Sequence, residues 1–195
     1  MKMRAWQRML SGRRLDLLDP TPMDVEVDDI AHGLSFLSRW NGQTLGAYGY
    51  SVAQHSLLVE ELFSKLNQNV SPHWKLAALL HDAAEYVIGD LISPVKNHVG
   101  PAYNMLETRL ITVIYQRFGL PSILPKPLEK KIKKADKNSA WLEAVTIAGF
   151  TKQEATKIFG KPAIDDSKNL PLEPLPPEKA KELFLKKHSE LLRLI

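Results

Sequence analysis

Apolar residues in this chain recur three and four positions apart, in stretches separated by proline. That spacing constrains the fold more than any other feature. Ile30, Leu34 and Leu37 keep it, as do Val52, Val59, Leu62 and Leu66. So do Leu128, Ile132, Ala135 and Leu142, and, near the end, Ala180, Leu183, Phe184 and Leu191. Such stripes are the inner faces of amphipathic helices. The two-residue alternation of a half-buried strand is absent, so the sequence predicts an all-α fold. Prolines and caps divide the helices. Ser51-Val-Ala-Gln54 is a capping-box pattern opening a helix to about Leu66. Ser71-Pro72 opens another, expected to run unbroken to Ile88 with Gly89 at its end. Further helices are expected at 1–10, 28–40, 101–118, 127–148, 151–160 and 178–195. DLISPVK (90–96) reads as a loop, and the five prolines of 161–177 as an extended crossing.

The 195 residues suffice for one domain with a sizeable core. A single domain over 1–195 is expected, with its core at about 29–150, an N-terminal extension over 1–28, and the crossing and last helix over 161–195. There is no cysteine, which excludes disulfides, a thiolate nucleophile and Cys-ligated metal sites. No apolar run approaches the roughly 18 residues of a membrane span. The basic N-terminus lacks the apolar centre of a secretory signal. A cytoplasmic chain is the expectation. The net charge of +4 suits anionic small molecules but is too scattered to point to nucleic acid. The densest run, Lys130, Lys131, Lys133 and Lys134, reads as a solvated helix face.

Chemistry enters where polar residues occupy inner stripes. On the helix from Ser71, the stripe Trp74, Ala77, Ala78, Ile88 also carries His81 and Glu85, with Asp82 beside His81. Buried carboxylates are costly unless paired, hydrogen-bonded or bound to a metal. His55 lies on the inner stripe of its helix, and Asp136 lies at the edge of the stripe on 127–148. Two imidazoles and two carboxylates form a set suited to Mn²⁺, Co²⁺, Ni²⁺, Fe²⁺ or Zn²⁺. Taken singly, an inward histidine is more often a hydrogen-bonded core residue; the ordered set is more specific. His32 reads as a satisfied helix histidine, and His73 and His188 as solvent-facing. His98 is the candidate if a second metal were involved, and is left out of the set.

The order His55, His81-Asp82, Asp136 resembles the HD superfamily of metal-dependent phosphohydrolases. His81-Asp-Ala-Ala-Glu85 through Asp90-Leu-Ile-Ser-Pro-Val-Lys96 is similar to the block of the YfbR-like bacterial 5′-deoxynucleotidases. Arg39-Trp40 is similar to that family's Arg-Trp pair. The likeness spans roughly residues 29–145.

The resemblance implies one divalent metal ion (Co, Mn or similar) on His55, His81, Asp82 and Asp136. It implies Asp90 as acid/base with Glu85 as its orienting partner, Arg39 as a phosphate clamp, Trp40 packed on the sugar or base, and Lys96 near phosphate. It also implies a homodimer; the scattered charge and the lack of a long apolar run leave neither nucleic acid nor membrane as an expected partner. On the residues alone, Arg39 reads rather as an ion-pair residue, Trp40 as a core aromatic, Asp90 as a loop residue bonding its own backbone and Lys96 as solvated. The leading expectation is removal of phosphate from deoxyribonucleoside 5′-monophosphates. A dNTP triphosphohydrolase and a non-catalytic metal-bound nucleotide sensor are the alternatives. No phosphate-binding glycine loop and no nucleophile elbow is present.

Overall fold

Proline starts helices here more often than it interrupts them. In the computed structural model, which describes residues 5–166 and 169–195, helices α3 (Pro72–Leu79), α5 (Ser93–Val99), α6 (Pro101–Arg117), α7 (Lys126–Thr146) and α9 (Pro177–Leu192) each carry proline in the first turn. There its missing N–H costs nothing and its fixed φ suits the helix. The remaining helices are α1 (Val27–Phe36), α2 (Val52–Leu66), α4 (Glu85–Ile88) and α8 (Lys152–Phe159). The all-α expectation holds, with one small addition at the N-terminus.

That addition corrects the helix expected at 1–10. Trp6–Arg8 (β1) pairs antiparallel with Arg14–Asp16 (β2), in the register Trp6 with Asp16 and Arg8 with Arg14. Ser11-Gly12 makes the turn, and Gly12 takes φ +88°, a conformation open to glycine. Asp29 of α1 ties the turn down, accepting from the Ser11 amide at 3.0 Å and its hydroxyl at 2.5 Å. Residues 1–4 of that expected helix lie outside the described residues.

α2 is the axis of the molecule. Val52, Ala53, His55, Ser56, Leu58, Val59, Leu62 and Phe63 are fully buried, and α1, α3, α7 and α9 pack around it. Ser51 caps it, its hydroxyl accepting from the Gln54 amide at 3.2 Å. The loop before α2 closes on itself. Arg39 N donates to Tyr50 O at 2.8 Å and Val52 N to Leu37 O at 2.9 Å. Arg39 is thereby held beside the start of α2.

Three further expectations are corrected. The helix expected over 71–89 breaks: α3 ends at Leu79, residues 80–84 turn, and α4 resumes at Glu85. DLISPVK is not all loop, because Pro94 falls in the first turn of α5 and opens it. His188 does not face solvent; it is 3% exposed, set edge-on to Phe118 at 4.6 Å between ring centres. The rest of the inner face of α9 follows the sequence pattern, with Ala180, Phe184 and Leu191 buried and Leu183 half-buried. No helix of the described residues is long and apolar enough to cross a membrane.

Candidate metal centre

Consecutive side chains on an α-helix diverge by about 100° and do not meet. His81 and Asp82 do meet: His81 Nε2 lies 3.1 Å from Asp82 Oδ2. They meet within the turn at 80–84, where the helix is interrupted. His55, one face of α2 away, brings Nε2 to 3.3 Å from the same Asp82 oxygen. One ligand atom from each of His55, His81 and Asp82 lies within 4.8 Å of the others, a group able to hold a metal ion. Asp136 approaches from α7, with Oδ1 at 3.5 Å from His55 Nε2. Its other oxygen accepts from Lys133 Nζ at 2.5 Å.

The two rings are oriented for ligation. His81 Nδ1 donates to Ala78 O at 2.9 Å, and His55 Nδ1 sits 2.6 Å from Glu143 Oε1. In both rings Nε2 is buried without a hydrogen-bond partner, although carboxylate oxygens stand nearby. Two buried imidazole nitrogens converging on one carboxylate oxygen fit a divalent cation.

Electrostatics agree. Burial alone would raise the Asp82 carboxyl, but His81 and His55 hold it well below the usual range. Asp136 is likewise held low against burial by His55. Burial and Arg39 oppose charge on His55, yet Glu143, Asp136 and Asp82 prevail and raise it. Beside these donors stand two acids of opposite tendency. Burial, then the charges of Asp82 and Asp90, pushes Glu85 up to about 10. Its Oε2 is buried and unpartnered. Burial also raises Asp90, partly offset by Arg39, whose Nη1 lies 3.3 Å from Asp90 Oδ2.

Glu143 is the residue that sequence reasoning missed. It is fully buried, accepts from Trp40 Nε1 at 2.9 Å and from Arg39 Nε at 3.4 Å, and binds His55 with its other oxygen. Burial would raise its carboxyl, but Arg39 and His55 keep it below its ordinary value, so it is ionised and the His55 ring nitrogen is the donor. A signal existed: Glu143 follows Asp136 by seven residues, two helical turns on the same face.

The remaining expected site residues fall into two groups. Arg39 joins the site, bridging Asp90 and Glu143, and its Nη2 has no partner among the described residues. Trp40 is tied to Glu143 and packs against Phe150 and Phe159, at 5.6 and 5.9 Å between ring centres. Its φ of +57° is unusual for a bulky side chain and turns the indole inward. Lys96 is engaged elsewhere, with Glu107 at 2.7 Å and over the Tyr103 ring at 5.5 Å. Tyr103 in turn donates to Gly89 O at 2.8 Å, beside Asp90.

Comparison with known proteins agrees with this geometry. Residues 52–141 match the model of the HD domain, which spans His55, His81, Asp82, Glu85, Asp90 and Asp136. An uncharacterized protein of Rhodobacter capsulatus is 58% identical over 190 residues, 97% of each chain. The uncharacterized protein YfdR of Escherichia coli is 33% identical over 106 residues, 54% of each chain. The chain thus carries an HD domain over residues 52–141, which points broadly to metal-dependent phosphohydrolase activity.

Proposed function

We propose that this HD-domain chain is a 5′-deoxynucleotidase, removing phosphate from deoxyribonucleoside 5′-monophosphates with one divalent metal ion. The observation that carries the reading is the pair of unpartnered Nε2 atoms of His55 and His81 converging on Asp82, with buried Glu85 and Asp90 alongside. A structural metal site would need no such extra acids.

His55, His81, Asp82 and Asp136 hold the ion. When bound, a divalent ion supplies Lewis-acid polarisation of a phosphoryl oxygen and of water. The chain's own groups do the rest. Asp90 takes a proton from the attacking water and returns one to the leaving sugar oxygen. Glu85, in its dry position, orients that exchange. Arg39, already charged and fixed between two carboxylates, offers Nη2 to the phosphate. Trp40 fixes Glu143, and through it His55, and its half-buried indole packs on the sugar or base. Lys96, held by its pair with Glu107, takes no step of its own. A cytoplasmic homodimer completes the reading.

The test is orthophosphate release from dAMP, AMP and dATP, with added Mn²⁺ or Co²⁺ and with chelator. Release from dAMP, much less from AMP, and none with chelator is expected. Tripolyphosphate from dATP would replace the monophosphate reading by the triphosphohydrolase. Retained metal with no release from any of them would favour a nucleotide sensor. Glu85→Gln should keep the fold and the metal but lose rate by roughly 10²-fold; full activity would remove Glu85 from the mechanism.

A further inference from the structure

Lys130, Lys133, Lys134 and Lys137 stand at positions i, i+3, i+4 and i+7 of α7 and so share one face. Across from them runs the segment after α8. Together with Lys161 and Phe159 they line a groove of about 310 Å³, a size typical of the smaller small-molecule clefts, which run from roughly 300 to 1,000 Å³. Five of its lining residues are lysines and none is a carboxylate. Lys133 alone is paired, with Asp136; Lys130, Lys134, Lys137 and Lys161 have no acidic partner among the described residues. Like charges one turn apart weaken a helix, so this face gains from an anion that neutralises it.

The groove is preformed. Asn138, buried on α7, accepts the amides of Ala163 and Ile164 at 2.9 and 2.8 Å and donates to Ile164 O at 2.9 Å. This fixes the far wall. Two contacts join the groove to the metal centre. Lys133 holds the oxygen of Asp136 that is turned away from His55. Phe159 meets Trp40, which donates to Glu143 behind His55.

We propose that this groove is a second anion site, separate from the metal centre, that takes a small ligand bearing several linked phosphates and alters turnover through Lys133 and Phe159. Lysines serve phosphate as point charges and do not demand a fixed planar geometry. A nucleic-acid strand fits less well. It needs a longer basic track and free aromatic faces, and the Phe159 ring is taken by Trp40.

The test uses the full metal-loaded chain, freed of excess metal, titrated calorimetrically with inorganic tripolyphosphate and with orthophosphate. Two variants accompany it: the triple change Lys130→Gln, Lys134→Gln, Lys161→Gln, and Asp82→Ala. The expected result is one tripolyphosphate per chain, bound roughly tenfold or more tighter than orthophosphate. Binding should weaken by roughly tenfold or more in the triple variant and persist in Asp82→Ala. Circular dichroism should show the triple variant folded, since its changed side chains are exposed. Binding kept in the triple variant and lost in Asp82→Ala would place the anion on the metal and overturn the proposal. A short single-stranded oligodeoxynucleotide that displaces tripolyphosphate from the groove more strongly than tripolyphosphate displaces itself would overturn it in favour of nucleic acid. The effect on turnover rests on the proposed function. Saturating tripolyphosphate should change dAMP hydrolysis by roughly fivefold or more in the parent chain and not in the triple variant. An equal effect in both overturns the coupling. Absence of dAMP hydrolysis would sink the nucleotidase reading, while the binding comparison still decides the groove.

Discussion

The His55 Nδ1 proton is held by Glu143 Oε1 at 2.6 Å, and both groups are fully buried. The bond fixes the ring's orientation and turns its Nε2 towards Asp82 and Asp136. Glu143 itself is held by Trp40 and Arg39, so the orientation of one ligand depends on two elements remote in sequence.

Glu143→Gln should therefore weaken metal binding by about 10–100-fold, the usual cost of losing such an outer carboxylate. Isothermal titration of the metal-free chain with Co²⁺ reads this directly. Unchanged affinity would show that Glu143 serves packing alone.

Gly33 lies in mid-helix, where alanine would ordinarily stabilise by about 1 kcal/mol. Here a Cβ would lie 2.8 Å from Tyr86 Cβ and 2.9 Å from Tyr86 O. Relieving that overlap costs about 1–3 kcal/mol, so the clash outweighs the propensity. Gly33→Ala is expected to lower stability in urea and to displace α4, which carries Glu85. A variant as stable as the parent would mean that α1 and α4 can separate freely.

His188 is buried against Phe118 with its Nε2 unpartnered, and burial pushes it down to about 4. Its folded value lies below its unfolded value, so between the two the unfolded chain binds the extra proton. Its neutral burial costs nothing above the unfolded value, and stability is lost as pH falls from about 6.5 towards 4. At about pH 4.5 the loss from this one group is about 2–3 kcal/mol. Urea unfolding of the parent and of His188→Leu at neutral pH and at about pH 4.5 should show the parent losing more by about that amount. Equal losses would remove His188 as the source.

The sequence pattern carried the helices and most of the centre. Amphipathic spacing located α2, α6, α7 and α9 within a few residues, and it set His55 and His81 on inner stripes, with Asp82 beside His81 and Asp136 at a stripe's edge. It failed where tertiary contacts override local periodicity. The stripe from Trp74 to Ile88 continues in phase through 80–84, so nothing in it signals the turn within which His81 and Asp82 meet. The hairpin at 6–16 is short and strongly charged, too brief to show alternation, and is fixed by Asp29 from outside. Glu143 was hidden because a single glutamate on a helix reads as surface until its partners, 88 and 103 residues away, are known. His188 looked exposed because Lys186, Lys187 and Glu190 surround it in sequence, while its own position follows Phe184 by one turn onto the buried face.

His55, His81 and Asp82 are proposed to form a centre for one divalent metal ion that turnover requires. Co²⁺ titration of the parent chain and of Asp82→Ala, followed by visible absorption and by phosphate release from dAMP, tests it most directly. One tightly bound ion and metal-dependent release are expected in the parent, and neither in Asp82→Ala with its helical circular dichroism intact. Equal Co²⁺ binding by the folded variant would contradict it.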